Sequence, residues 1–165
     1  MIIWCASYPK SGNTWVRAII TSLLYSKDGI FNFNMLRKVS LFPKRFHFKD
    51  FTDDYSNLKK ISQYWINAQE KINSDGKLTI FKTHNGNYNF LGKDFTNKNN
   101  TIGVIYVVRD PRNIISSIAN HYKLNLEQSV NFLLDKKRFL EIQAREKDRV
   151  QEEQQSIDKA FEDTK

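Results

Sequence analysis

The sequence predicts an α/β fold on a mostly parallel sheet, and three observations carry that expectation. Apolar runs of strand length at residues 2–7, 78–82 and 102–108 alternate with segments whose apolar residues recur at helical spacing. Strands alternating with helices are the pattern of a sheet wound with crossovers. The 165 residues, 40% hydrophobic and 13% aromatic, suit a single domain with enough apolar mass for a core. That composition excludes wholesale disorder and collagen-like or disulfide-scaffold classes.

Taken in order, Ile2 to Ser7 is the first strand. Tyr8-Pro9-Lys10-Ser11-Gly12 then breaks the pattern, and Asn13 to Tyr25 resumes at helical spacing. In that helix Trp15, Ile19 and Leu23, with Ile20 and Leu24, form an apolar stripe expected to pack on the sheet, and Asn13 or Thr14 is the expected cap. Residues 28–60 have no clean period and predict a loop or short irregular helices around Pro43 to Lys49. Tyr55 to Ile72 reads as a helix with Leu58, Ile61, Ile66 and Ile72 as core positions, and Asp75-Gly76 ends it. Leu78 to Lys82 is the second strand. It runs into Thr83-His84-Asn85-Gly86, a turn signal that puts His84 at or just past the strand's carboxyl end. Ile102 to Val108 is a nearly unbroken β-branched and aromatic run, as expected of a strand covered on both faces. Arg109-Asp110-Pro111 stops it. The helix from Pro111 to Tyr122 is expected to turn Ile114, Ile115, Ile118 and Ala119 inward, and a further helix starts near Leu126.

The net charge of +8 is unevenly placed. Residues 136–165 hold eight of the 26 basic and eight of the 18 acidic side chains, so 18 basic against 10 acidic remain in residues 1–135. The imbalance favours an anionic ligand without choosing among nucleic acid, acidic lipid and a phosphorylated small molecule. Residues 126–165 read as a charged helical tail whose apolar stripe of Val150, Ile157 and Phe161 is thin. The lone Cys5 is expected to be a small buried hydrophobe. No signal peptide or transmembrane segment is recognisable, and a cytoplasmic location is expected.

In an open α/β sheet ligands bind beyond the carboxyl ends of the strands, and this chain puts polar residues at three such ends. The first loop, Tyr8 to Trp15, has Gly12 where backbone amides approach an anion, hydroxyls on Ser11 and Thr14, a helix N-terminus, and the charge of Lys10. Its spacing departs from the Walker pattern, which needs a longer loop with Lys after the second Gly.

Tyr-Pro-Lys-Ser-Gly-x-Thr-Trp resembles the 5′-phosphosulfate-binding loop of the sulfotransferase family, with Asn13 at a position that is often Thr. Val108-Arg109-Asp110-Pro111, with Ser117 on the following helix, resembles that family's 3′-phosphate-binding element. Phe81-Lys82-Thr83-His84 resembles the segment in which cytosolic and bacterial members keep a catalytic base. His47 and His121 match nothing in that pattern and are assigned to packing or surface.

The resemblance covers about residues 1–125. It implies a P-loop-like three-layer sandwich as one domain over residues 1–165, incomplete at its C-terminus, because relatives continue into a further basic, Gly-containing segment. It also implies sulfuryl transfer from 3′-phosphoadenosine 5′-phosphosulfate (PAPS) to a hydroxyl or amine of a small-molecule or glycan acceptor, without metal or nucleic acid. Lys10 would stabilise the leaving phosphate, His84 would act as general base, and Lys82 would stand as a second cation. Lys10, Ser11, Gly12, Asn13, Thr14, Trp15, Arg109 and Ser117 would bind the cofactor, with Trp15 stacking on adenine. The competing expectations are a truncated or inactive fragment binding PAPS or its desulfated product PAP, including a subunit completed by another copy in an oligomer. Further alternatives are a P-loop nucleotide phosphotransferase, distinguishable by magnesium dependence, and a nucleic-acid-binding protein using the basic, aromatic stretch Phe42 to Phe51.

Overall fold

The computed structural model describes residues 1–55 and 57–135. Three parallel strands, β1 (Ile2–Ser7), β2 (Thr79–Thr83) and β5 (Thr101–Val107), form a sheet in the order β2-β1-β5. Helix α1 (Asn13–Tyr25) and two short 3₁₀ segments (Phe33–Lys38 and Arg45–Phe48) follow β1. Helices α2 (Leu58–Ser62) and α3 (Trp65–Asn73) precede β2. A small hairpin of β3 (Asn89–Phe90) and β4 (Lys93–Asp94) leads into β5, and α4 (Pro111–Tyr122) and α5 (Leu126–Leu134) close the described part. The charged stretch 136–165 lies outside the described residues.

The two-residue period of the strands divides the interior into two layers. Ile2, Trp4 and Phe81 face one side, where they join Phe42, Phe48, Phe95, Ile61, Trp65 and Ala68. Ile3, Cys5 and Ile80 face the other, against Val16 and Ile20 of α1 and Val39. Helices therefore cover both sides of a parallel sheet, which is the three-layer α/β arrangement expected. A buried polar chain threads the first layer: Gln69 Nε2 donates to the Phe95 carbonyl at 2.6 Å, Thr96 Oγ1 to Gln69 Oε1 at 2.6 Å, and Trp4 Nε1 to Thr101 Oγ1 at 2.8 Å. Gln69 is thus fully buried with both ends of its amide bonded, the condition under which a polar side chain is tolerated there.

Four expectations are corrected. Of the expected stripe, Trp15, Ile19, Leu23 and Leu24 do not face the sheet and are largely exposed, while Ile20 does pack there, joined by Val16 rather than by its expected neighbours. The cause is Asn13, whose Nδ2 donates to the Cys5 carbonyl and to Ser7 Oγ, both at 3.0 Å, and so sets the rotation of α1. Asn13 is consequently not the cap: Gly12 holds that position in the left-handed region with no side-chain cap bond. Strand β5 is not covered on both faces: Ile102, Val104, Tyr106 and Val108, which share one face of the strand, are exposed. The helix expected from Tyr55 to Ile72 is divided at Gln63 and Tyr64, and Ile61, Ser62, Trp65, Ala68 and Gln69 are its buried positions, with Leu58, Ile66 and Ile72 only partly covered. By contrast, Ile114 and Ile118 point inward on α4 as expected, against Phe132 of α5.

Candidate active site

The register of the sheet brings the three polar loops together. Ala6 pairs with Thr83 on one side and with Tyr106 on the other, and Ser7 pairs with Val107. The chain therefore leaves β1 at Tyr8, β2 at His84 and β5 at Val108 along one edge of the sheet.

The first loop is a tight turn closed by the Ser11 amide on the Tyr8 carbonyl at 3.2 Å. Tyr8 anchors it against Ile114, Ile118 and Phe132. Lys10 has φ 67 and Gly12 φ 97, both in the left-handed region; at Gly12 this favours a residue without Cβ, and the space a Cβ would enter is open. Helix α1 then starts, with the Trp15 and Val16 amides both donating to the Gly12 carbonyl, at 3.0 and 3.3 Å, and the Asn13 and Thr14 amides preceding its first intrahelical bond. Ser11 Oγ is buried without a hydrogen-bond partner among the described residues, as is Asn13 Oδ1. A buried hydroxyl left unpaired at the start of a helix suits an anion that would take its hydrogen bond.

Arg109 ties the third loop to the first, its Nη1 donating to the Lys10 carbonyl at 3.2 Å. His84 ties the second. Its Nδ1 lies 2.7 Å from the Ser7 carbonyl and 3.2 Å from Ser7 Oγ. A carbonyl oxygen only accepts, so Nδ1 carries the proton and Nε2 is the lone-pair atom of the neutral ring. His84 is held at a pKa of about 4, first by burial and then by the positive charge of Lys82, with the Ser7 bond opposing and Arg17 adding to the fall. The ring is therefore neutral at pH 7. Lys82 lies on β2 opposite Cys5, and its charge also acts on the Cys5 thiol, whose pKa burial pushes up.

The expected site residues sort into two groups. Lys10, Ser11, Gly12, Asn13, His84, Lys82 and Arg109 converge on one end of the sheet, with Asn13 directing its side-chain amide inward rather than toward the loop's outer side. Thr14 and Trp15 follow on α1 with exposed side chains, the indole 79% exposed. Ser117 sits half-buried on α4 between Ile114 and Ile118 and makes no side-chain hydrogen bond among the described residues. Sequence reasoning missed Ser7, which orients His84, and Arg17, which reaches the site from α1. The break that Arg17 makes in the apolar helix was the available signal. Among the described residues no three or more His, Cys, Asp or Glu side chains are grouped so as to hold a metal ion.

The sulfotransferase domain profile matches residues 2–162 of this chain. The chain belongs to the sulfotransferase family. The match runs well past residue 125, where the motif resemblance ends, so the family's pattern also takes in α5 and the charged stretch that follows it. No curated protein and no solved structure matches the chain. In this sulfotransferase the motif segments lie at the end of the sheet where an α/β fold places its ligands. No helix among the described residues is long and apolar enough to cross a membrane.

Proposed function

We propose that this sulfotransferase transfers a sulfuryl group from PAPS to a hydroxyl or amine of a small-molecule or glycan acceptor. The observation that carries the reading is the bonding of Arg109 to the Lys10 carbonyl and of His84 to Ser7, which joins three motif segments distant in sequence. The fit of the residues to the cofactor rests on the unpaired buried hydroxyl of Ser11 and the open, left-handed Gly12.

Lys10, Ser11, Gly12, Thr14 and the backbone amide of Asn13 would hold the 5′-phosphosulfate, Arg109 and Ser117 the 3′-phosphate, and the exposed face of Trp15 the adenine. Bound there, PAPS supplies the sulfuryl group. Lys10 and Lys82 place positive charge where negative charge accumulates during transfer. His84 accepts the acceptor's proton at Nε2, while its Nδ1–H stays on the Ser7 carbonyl and keeps the ring oriented.

Calorimetric titration with PAP against AMP tests the cofactor site. PAP should bind more tightly, and Arg109→Ala should remove about tenfold or more of that preference, since a charge-assisted hydrogen bond is worth roughly 1.5–3 kcal/mol. Equal affinity for the two nucleotides would overturn the assignment. His84→Ala should keep PAP affinity and lose transfer; wild-type turnover in that variant removes His84 as the base.

A further inference from the structure

Beside His84, on the side away from Arg109, lie two cations that the cofactor does not require. Arg17 follows Asn13 by one turn of α1, and its Nη2 donates to the Leu36 carbonyl at 2.7 Å, which turns it toward the β2 edge of the sheet. Its Nε is buried with no hydrogen-bond partner among the described residues. Lys44 comes to the same place along another route. Leu41 forms a parallel bridge to Lys82, and the Phe42 amide donates to the Lys82 carbonyl at 2.9 Å. Because the bridge is parallel, the chain runs from Leu41 to Lys44 in the direction in which β2 runs from Lys82 to His84.

Both side chains are half-buried, and neither forms an ion pair among the described residues. Their charges act on one another and on the base: burial and then the Arg17 charge lower Lys44, and the same guanidinium lowers His84. Cations are rarely drawn partly out of water without a counter-charge. Arg109 follows β5, on one side of β1, whereas the segment from Leu36 to Lys44, which Arg17 bonds, reaches β2 on the other side through the Leu41–Lys82 bridge. The donor's own charges are met at Lys10, the first turn of α1 and Arg109.

We propose that Arg17 and Lys44 form an anion subsite for the acceptor, so that the hydroxyl or amine served by His84 is carried on a molecule bearing a carboxylate, phosphate or sulfate. The inference rests on the sulfotransferase reading of the site. Arg17 offers an unpaired Nε–H and a planar fork suited to an oxyanion, and Lys44 adds a point charge.

The matched pair 4-hydroxybenzoate and 4-hydroxybenzamide differs in charge at nearly constant shape. Calorimetric titration of each, with and without saturating PAP, should show the wild-type protein preferring the benzoate by about tenfold or more. Arg17→Gln and Lys44→Gln should each remove most of that preference and leave PAP affinity unchanged. Since Arg17 also holds Leu36, Lys44→Gln is the deciding variant. Equal binding of the pair, binding of neither, or a preference that survives Lys44→Gln would overturn the subsite. A parallel loss of PAP affinity in both variants would overturn it too, by assigning the two cations to the donor. Failure of wild-type protein to bind PAP is a separate result: it removes the cofactor reading, while the benzoate comparison without PAP still reads the anion subsite.

Discussion

His84 is a weak base because of its surroundings. Burial and the charges of Lys82 and Arg17 outweigh the orienting bond from Ser7 and leave it at a pKa of about 4. An anion bound between Lys10 and Lys82 opposes the effect of the Lys82 charge, so PAP should raise the pKa of His84. Following the His84 ring protons by NMR through pH 4 to 7, with and without PAP, checks this; an unmoved titration would separate His84 from the phosphate site. His47 shares the depressed state at about 3, through burial among Phe42, Phe46 and Phe81 and then through Lys44. Both histidines titrate below their ordinary value of 6.5, so the unfolded chain binds protons that the folded chain refuses. The stability they contribute is complete above about pH 6.5 and is lost as pH falls toward 4. The denaturation midpoint should therefore drop between pH 7 and pH 5, and His47→Gln should show a shallower decline. An equal slope in that variant would assign the effect to other groups.

At the scale of the element, α1 shows how one polar contact selects a helix face. Its composition allows two apolar rows one residue apart, Trp15/Ile19/Leu23 and Val16/Ile20, and hydrophobicity alone favours the first. Asn13 bonding to Cys5 and Ser7, with Arg17 bonding to Leu36, turns the second row onto the sheet. Ile20→Ala should therefore cost about 1–3 kcal/mol, whereas Leu23→Ala should stay within about 1 kcal/mol. Urea midpoints of the two variants measure the difference, and equal losses would place both rows in contact. Strand β5 shows the same principle in a sheet. Its β-branched run is suited to burial, but burial depends on an element packed on each face, and the face carrying Ile102, Val104, Tyr106 and Val108 is exposed.

Across the whole molecule the sheet separates two kinds of work. Its faces carry the aromatic and aliphatic layers, and its carboxyl edge carries Lys10, Lys82, His84 and Arg109. The excess positive charge of residues 1–135 adds a field that draws an anion to that edge. PAP affinity should consequently weaken several-fold as salt rises from about 50 to 300 mM, over which the screening length falls well below the size of the protein. Calorimetry at the two salt concentrations reads this directly, and salt-independent affinity would mean that the field contributes nothing.

The order of strand, loop and helix, the tight loop from Tyr8 to Gly12 between β1 and α1, and His84 at the end of β2 were all legible in the sequence. Each depends on near neighbours: a Pro or Gly that stops a run, a β-branched stretch, a helix start. Tertiary structure alone decided the tautomer of His84, set by Ser7 77 positions away, and the bond from Arg109 to a carbonyl 99 positions away. It likewise decided which row of α1 is buried, the edge position of β5, and the meeting of Arg17 with Lys44. Local sequence specifies an element and where it stops. The face an element buries and the charge a side chain carries are set by partners that only the folded chain brings within reach.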